Sequence, residues 1–146
     1  MKTLSILSAI AAITVATPAL AQEQAPLPAA YLVHKLAADG LELRSLEVED
    51  GGYEARVVAT DGSIVKVGVD ARTADLTDAY SHAKPRRAET DSPRVGAVEA
   101  MVTAAGTGYW DLRELEYKRG HWLVEAADDQ GRVRKVAVDG TTGMVE

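Results

Sequence analysis

Cysteine is absent from the 146 residues of this chain. That excludes a disulfide framework, a thiol nucleophile, cysteine-ligated zinc and an iron–sulfur cluster. A long basic run is also absent. Lys and Arg number 16 against 22 Asp and Glu, a formal net charge of −6. Such a balance does not make a nucleic-acid-binding surface. No apolar run reaches the roughly 20 residues that a membrane-spanning helix needs. Histidine occurs only at His34, His82 and His121, and no two stand at a ligand spacing such as i, i+4. The expectation is solvated histidines, no metal site and no cofactor. No G-x-S-x-G elbow and no phosphate-binding glycine loop occurs. Asp128-Asp129 before Gly131 lacks the alternating oxygen ligands of a calcium loop and reads as a turn. No catalytic constellation is left, so the expectation is a protein that is not an enzyme.

What is present is apolar enough to fold: 47% of the residues are hydrophobic. The start reads as an export signal. Met1-Lys2 is followed by an uncharged stretch from Leu4 to Val15, then Pro18 and Ala19-Leu20-Ala21. A short apolar core ending in a small-x-small site is a secretory signal peptide, residues 1–21, with cleavage between Ala21 and Gln22. The remaining 125 residues would carry a formal charge of −7, since only Lys2 among charged residues is lost. They would be periplasmic or secreted, and not membrane-spanning after cleavage. Without cysteines, stability must come from packing and hydrogen bonds.

The rest of the chain repeats itself at a shift of 69 residues. Leu43-Arg44-x-Leu46-Glu47 falls on Leu112-Arg113-x-Leu115-Glu116, Gly51 on Gly120, and Gly62 on Gly131. Lys66-Val67-x-Val69-Asp70 falls on Lys135-Val136-x-Val138-Asp139, and Thr73 on Thr142. Residues 43–76 give 11 identities in 34 positions. A fixed offset of this kind is the signature of an internal repeat. Upstream the offset is 65, with Pro28 on Pro93, so the second copy has about four extra residues around Gly106-Thr107-Gly108.

Each copy reads as one helix and three antiparallel strands. Pro28 suits a first helical turn, Leu32, Val33, Leu36 and Ala37 form one face, and Gly40 ends the helix. In the second copy Ser92 would cap, Pro93 would open the helix, Val95, Val98, Met101 and Val102 would form its face, and Gly106 would end it. The first strand covers 41–48, with apolar Leu41 and Leu43, then a shift of parity to Leu46 and Val48. Trp110, Leu112, Leu115 and Tyr117 shift at the same place, which predicts a β-bulge in both copies. Asp50-Gly51-Gly52 and Arg119-Gly120 predict hairpin turns. The second strands, 53–60 and 122–127, present Tyr53, Ala55, Val57 and Trp122, Val124, Ala126 on one face. After Asp61-Gly62 and Asp128 to Gly131, third strands follow at 63–69 and 132–138. Trp110 aligns with Leu41 and Trp122 with Tyr53, so both tryptophans are expected in the core.

The fold class is therefore α+β: two tandem α-β-β-β units, each a helix packed on a small antiparallel three-stranded sheet. The expected boundaries are 22–27 for a short N-terminal segment, 28–76 for the first unit, 77–91 for a polar linker and 92–146 for the second. Units of about 50 residues are marginal alone, so the two should pack together.

A helix, an aromatic opening the second strand (Tyr53, Trp122), an x-G turn (Gly62, Gly131) and a closing K-V-x-V-D-x-x-T-G resemble the PepSY domain. The closing motif is carried by Val67, Val69, Asp70 and Thr73, and more fully by Val136, Val138, Asp139, Thr142 and Gly143. The first copy departs at Ala74, where the family has a glycine able to take positive φ. The resemblance implies non-catalytic protein binding, with inhibition or chaperoning of a secreted or envelope peptidase as its sharpest form. The other reading of the sequence is a periplasmic small-ligand or metal-binding carrier.

Overall fold

The computed structural model describes residues 26–49, 51–77, 86–87 and 92–146. The expected signal peptide, its cleavage site and most of the expected linker lie outside the described residues.

The chain runs α1 (Ala29–Ala38), β1 (Glu42–Glu49), β2 (Gly52–Val58), β3 (Ser63–Asp70), β4 (Leu76–Thr77), β5 (Arg86–Arg87), α2 (Ala97–Ala105), β6 (Asp111–Lys118), β7 (His121–Ala127) and β8 (Val133–Asp139). The α+β class holds, but the sheet is one, not two. Its order is β4-β3-β2-β1-β6-β7-β8, with β5 also on β3, and every pairing is antiparallel. The join is β1 on β6, where Leu46 faces Leu115 across the strands. Both leucines are fully buried. Separate sheets would leave each of these strands as a sticky edge with half its backbone groups unpaired, and pairing removes both edges at once.

Both helices lie on the same side. α1 sits over the seam and touches β1, β6 and α2; α2 covers β6, β7 and β8. The core between them holds Leu32, Val33, Leu36, Leu46, Leu115, Trp122, Val124 and Val138. Gly40 leaves α1 in the left-handed region at φ 82°, which suits a residue without a Cβ.

Several local expectations need correction; Ala37 and Val48, expected on the apolar faces of α1 and β1, are exposed, and Ala29 completes the buried face of α1 instead. α2 begins at Ala97 with Gly96 before it, so Ser92 is not the cap and Pro93 is not its first residue. Ser92 instead accepts a hydrogen bond from Arg44 Nη2 at 3.2 Å. The buried face of α2 is Ala97, Ala100, Met101 and Ala104, while Val102 is exposed. Trp122 fills much of the layer beneath, and small residues let the helix approach. Trp110 is 60% exposed, not core. It precedes β6 after the longer second-copy loop, and its N–H donates to the Ala127 carbonyl. Finally, Arg86–Arg87 of the expected linker form a strand on Ser63 and Ile64.

The bulges stand where the parity shifts put them. Register slips between Leu43 and Ser45, and between Leu112 and Glu114, leaving Arg44 and Arg113 as the extra residues. Turn bonds recur at the 69-residue shift: Gly62 N–H to Ala59 O and Gly131 N–H to Asp128 O; Asp70 N–H to Asp75 O and Asp139 N–H to Met144 O. Ala74 takes φ 63° and bonds Asp70 O, as Gly143 at φ 72° bonds Asp139 O. The turn survives the missing glycine because Ala74 is 3% exposed and its methyl is packed.

Candidate functional site

The closing-motif residues build turns and core. Asp70 Oδ1 accepts from the N–H groups of Arg72 and Thr73 at 2.7 and 2.9 Å. Asp139 Oδ1 accepts from those of Thr141 and Thr142 at 2.9 and 2.6 Å, and from Thr142 Oγ1. Backbone donors hold both carboxyls below their usual range, for Asp70 chiefly the Arg72 N–H and for Asp139 chiefly the Thr142 N–H. Thr73 Oγ1 in turn accepts from Asp75 N–H. Val69, Val136 and Val138 are buried, and Val67 is partly buried against the core. Gly62 and Gly131 sit at φ 78° and 74° in the hairpin turns. Tyr53 donates from its hydroxyl to Leu27 O at 2.9 Å, and Trp122 from its indole to Val95 O at 2.8 Å. Asp70 and Asp139 lie in different halves and form no paired-carboxylate site.

Function must therefore be sought on the surfaces that the helices leave bare. Across the open face of the sheet runs a row that the sequence reading missed. Glu54 faces Glu47, Glu47 faces Glu114, and Glu114 faces Glu125, on four adjacent strands. Lys135 stands next to Glu125. Neighbouring strands are about 4.8 Å apart, so these like charges repel. Cations moderate the row. Lys66 Nζ and Arg56 Nη2 reach Glu54 at 2.7 and 3.1 Å, and Lys135 Nζ lies 3.7 Å from both Glu114 and Glu125. Burial, with Glu54, Glu114 and Glu116 nearby, pushes the Glu47 carboxyl up, against the pull of Arg56. A shallow hollow of about 520 Å³ lies here, lined by Glu47, Val48, Arg113, Glu114, Glu125 and Val133. Only the strand register could have revealed the row, because its members are scattered over 79 positions from Glu47 to Glu125.

The two ends of the sheet differ. On one side the outer edge of β3 is covered at Ser63, Ile64, Gly68 and Val69 by β5 and β4. On the other side β8 is outermost. There Glu146 N–H bonds Ala137 O and Asp139 N–H bonds Met144 O, so odd-numbered residues of β8 point their backbone groups outward. By alternation Val133 and Lys135 do the same. Among the described residues no backbone bond covers either of them on that side. Val133 is 55% exposed, and Trp110 stands at the same end of the sheet, tied to Ala127, the partner of Val133.

His34 is exposed on α1, and His82 lies outside the described residues. His121 is brought beside Asp139 and Glu146, one ligating atom of each lying within 4.8 Å of the others. Histidine spacing alone did not reveal this triplet, which strand pairing assembles. His121 is shifted up by its bond to Arg119 O and by Glu146.

A single antiparallel sheet with both helices on one face defines a small α+β domain. The chain belongs to the peptidase propeptide and YPEB domain family, whose pattern matches residues 5–80. No curated protein matches the chain. A solved structure that aligns with it is a "putative lipoprotein" of Clostridium difficile 630, over 85% of this chain and 93% of that one, at 17% identity and a TM-score of 0.43. Among the described residues no helix is long and apolar enough to cross a membrane.

Proposed function

We propose that this protein is a non-catalytic, exported binding module that holds an extended segment of a peptidase or another envelope protein along the free edge of β8. The observation that carries this reading is the pair of outward backbone positions at Val133 and Lys135, which no backbone bond among the described residues covers, beside the exposed Val133 side chain. A segment added there gains main-chain hydrogen bonds, and alternate side chains meet Val133, Lys135 and the hollow beyond. Membership of a propeptide family supports a peptidase as the partner class. In the same reading, 28–76 and 92–146 are two copies of one unit joined by 77–91, which the turn bonds recurring at a 69-residue shift support. Residues 1–21 are removed on export, which places the working protein in the periplasm or outside the cell. The test is affinity capture from the periplasmic and secreted fractions with the chain as bait, followed by mass spectrometry and a peptidase assay. A specific peptidase that loses activity on adding the chain is the expected result. A captured small molecule with no protein partner contradicts the reading.

A further inference from the structure

We propose that His121, Asp139 and Glu146 form a binding site for one divalent first-row transition cation, such as Zn²⁺. Three backbone constraints bring the residues together. His121 opens β7 directly opposite Asp139, which closes β8. Glu146 is anchored beside them by its N–H bond to Ala137 O at 3.0 Å, next to the Val138–Val145 bridge.

The imidazole is oriented as a ligand would be. His121 Nδ1 lies 2.9 Å from the carbonyl oxygen of Arg119. A carbonyl only accepts, so Nδ1 carries the hydrogen and Nε2 is directed to the carboxylates. Nε2 stands 3.1 Å from Glu146 Oε2. A second ring nitrogen fixed on a backbone carbonyl is the usual support of a metal-binding histidine. Asp139 spends Oδ1 on its turn and keeps the other oxygen out of those bonds.

The donor set selects the ion class. One imidazole nitrogen with two carboxylate oxygens suits zinc and its first-row neighbours, whereas Mg²⁺ and Ca²⁺ prefer oxygen alone. Ligand atoms about 2.1 Å from a tetrahedral zinc are roughly 3.4 Å apart. The atoms here are all within 4.8 Å of one another, and Glu146, whose side chain is 52% exposed, has room to close that distance onto the oriented imidazole. Water would complete the shell.

The first half supplies an internal contrast. At the 69-residue shift the three positions are Gly52, Asp70 and Thr77. Gly52 pairs with Asp70 there as His121 does with Asp139. The same backbone is thus built without the imidazole or the second carboxylate, so folding does not require them. This inference does not depend on the proposed β8 partner.

The test is calorimetric titration of the untagged chain with ZnCl2, and separately with MgCl2. One Zn²⁺ per chain is expected, with no heat from Mg²⁺. His121→Gln and Glu146→Gln should each weaken binding at least about tenfold, as loss of a direct ligand must cost no less than loss of its support. His34→Gln should leave it unchanged, and circular dichroism should show all variants folded. Absence of Zn²⁺ binding, equal binding of Mg²⁺, or full affinity in folded His121→Gln overturns the proposal.

Discussion

The indole N–H of Trp122 donates to the carbonyl of Val95 at 2.8 Å, tying the start of β7 to the lead-in of α2. Tyr53 makes the corresponding tie to Leu27 in the first half. Trp122 is fully buried and packs against Tyr117 at 5.2 Å between ring centroids. Trp122→Ala should cost about 3–5 kcal/mol. Trp122→Phe should still cost at least about 1 kcal/mol, since it leaves the Val95 carbonyl without its donor. Tyr53→Phe, nearer the surface, should cost less than either. Urea unfolding of the three variants checks the order. A Trp122→Phe protein as stable as the parent contradicts the tie.

The glutamate row predicts an unusual pH profile. Glu47 is raised in the folded state, so its contribution favours folding at low pH and is lost as pH rises through that raised value. Stability should therefore increase as pH falls from 7 toward the unfolded glutamate value near about 4.3. Asp61 and Asp70 are lowered by hydrogen bonds, chiefly from the Ser63 side chain and the Arg72 N–H respectively. Their contribution is complete above the unfolded aspartate value of about 3.9 and is lost as pH falls through their lowered values. Glu47→Gln should reduce the rise of the upper limb, leaving the part that the raised His121 contributes, and stabilise the protein at pH 7 by about 0.2–1 kcal/mol. Thermal melts from pH 3 to 8 check both limbs, and an unchanged upper limb in the variant contradicts the repulsion.

The β6–β7 hairpin contains a removable strain. Arg119 holds φ 53° before Gly120 at φ 85°. Two successive left-handed residues favour Asn-Gly, and a bulky side chain there is costly. Arg119→Asn should raise stability by up to about 1 kcal/mol. A lower melting temperature contradicts this account of the turn.

Hydrogen exchange reads the free edge without any partner. Amides of Val133 and Lys135 should exchange quickly. Those of Arg134 and Val136, which point toward β7, should be slow. Uniform protection along β8 contradicts an open edge.

Much of the fold was legible because it rests on local signals. The bulges followed from the parity shift at Leu43–Leu46 and Leu112–Leu115, and the turns from their glycines. The β1–β6 join was not legible, since Leu46 and Leu115 look the same whether covered by a helix or also paired at the edge. Trp110 misled because its alignment with Leu41 ignored the longer loop before it. The candidate surfaces were the least legible. The row from Glu54 to Glu125 and the triplet at His121 depend on cross-strand register, which no spacing along the chain encodes.

The central claim is that a partner adds to β8, and a proline at an outward position addresses it most directly. Lys135→Pro removes one outward N–H while leaving the bonds to β7 intact, a substitution an edge strand tolerates. Captured partner should fall sharply with Lys135→Pro as bait relative to Lys135→Gln, which loses the same ammonium beside Glu114 and Glu125 but keeps its N–H, and both variants should melt cooperatively. Full capture by a folded Lys135→Pro protein would contradict the account.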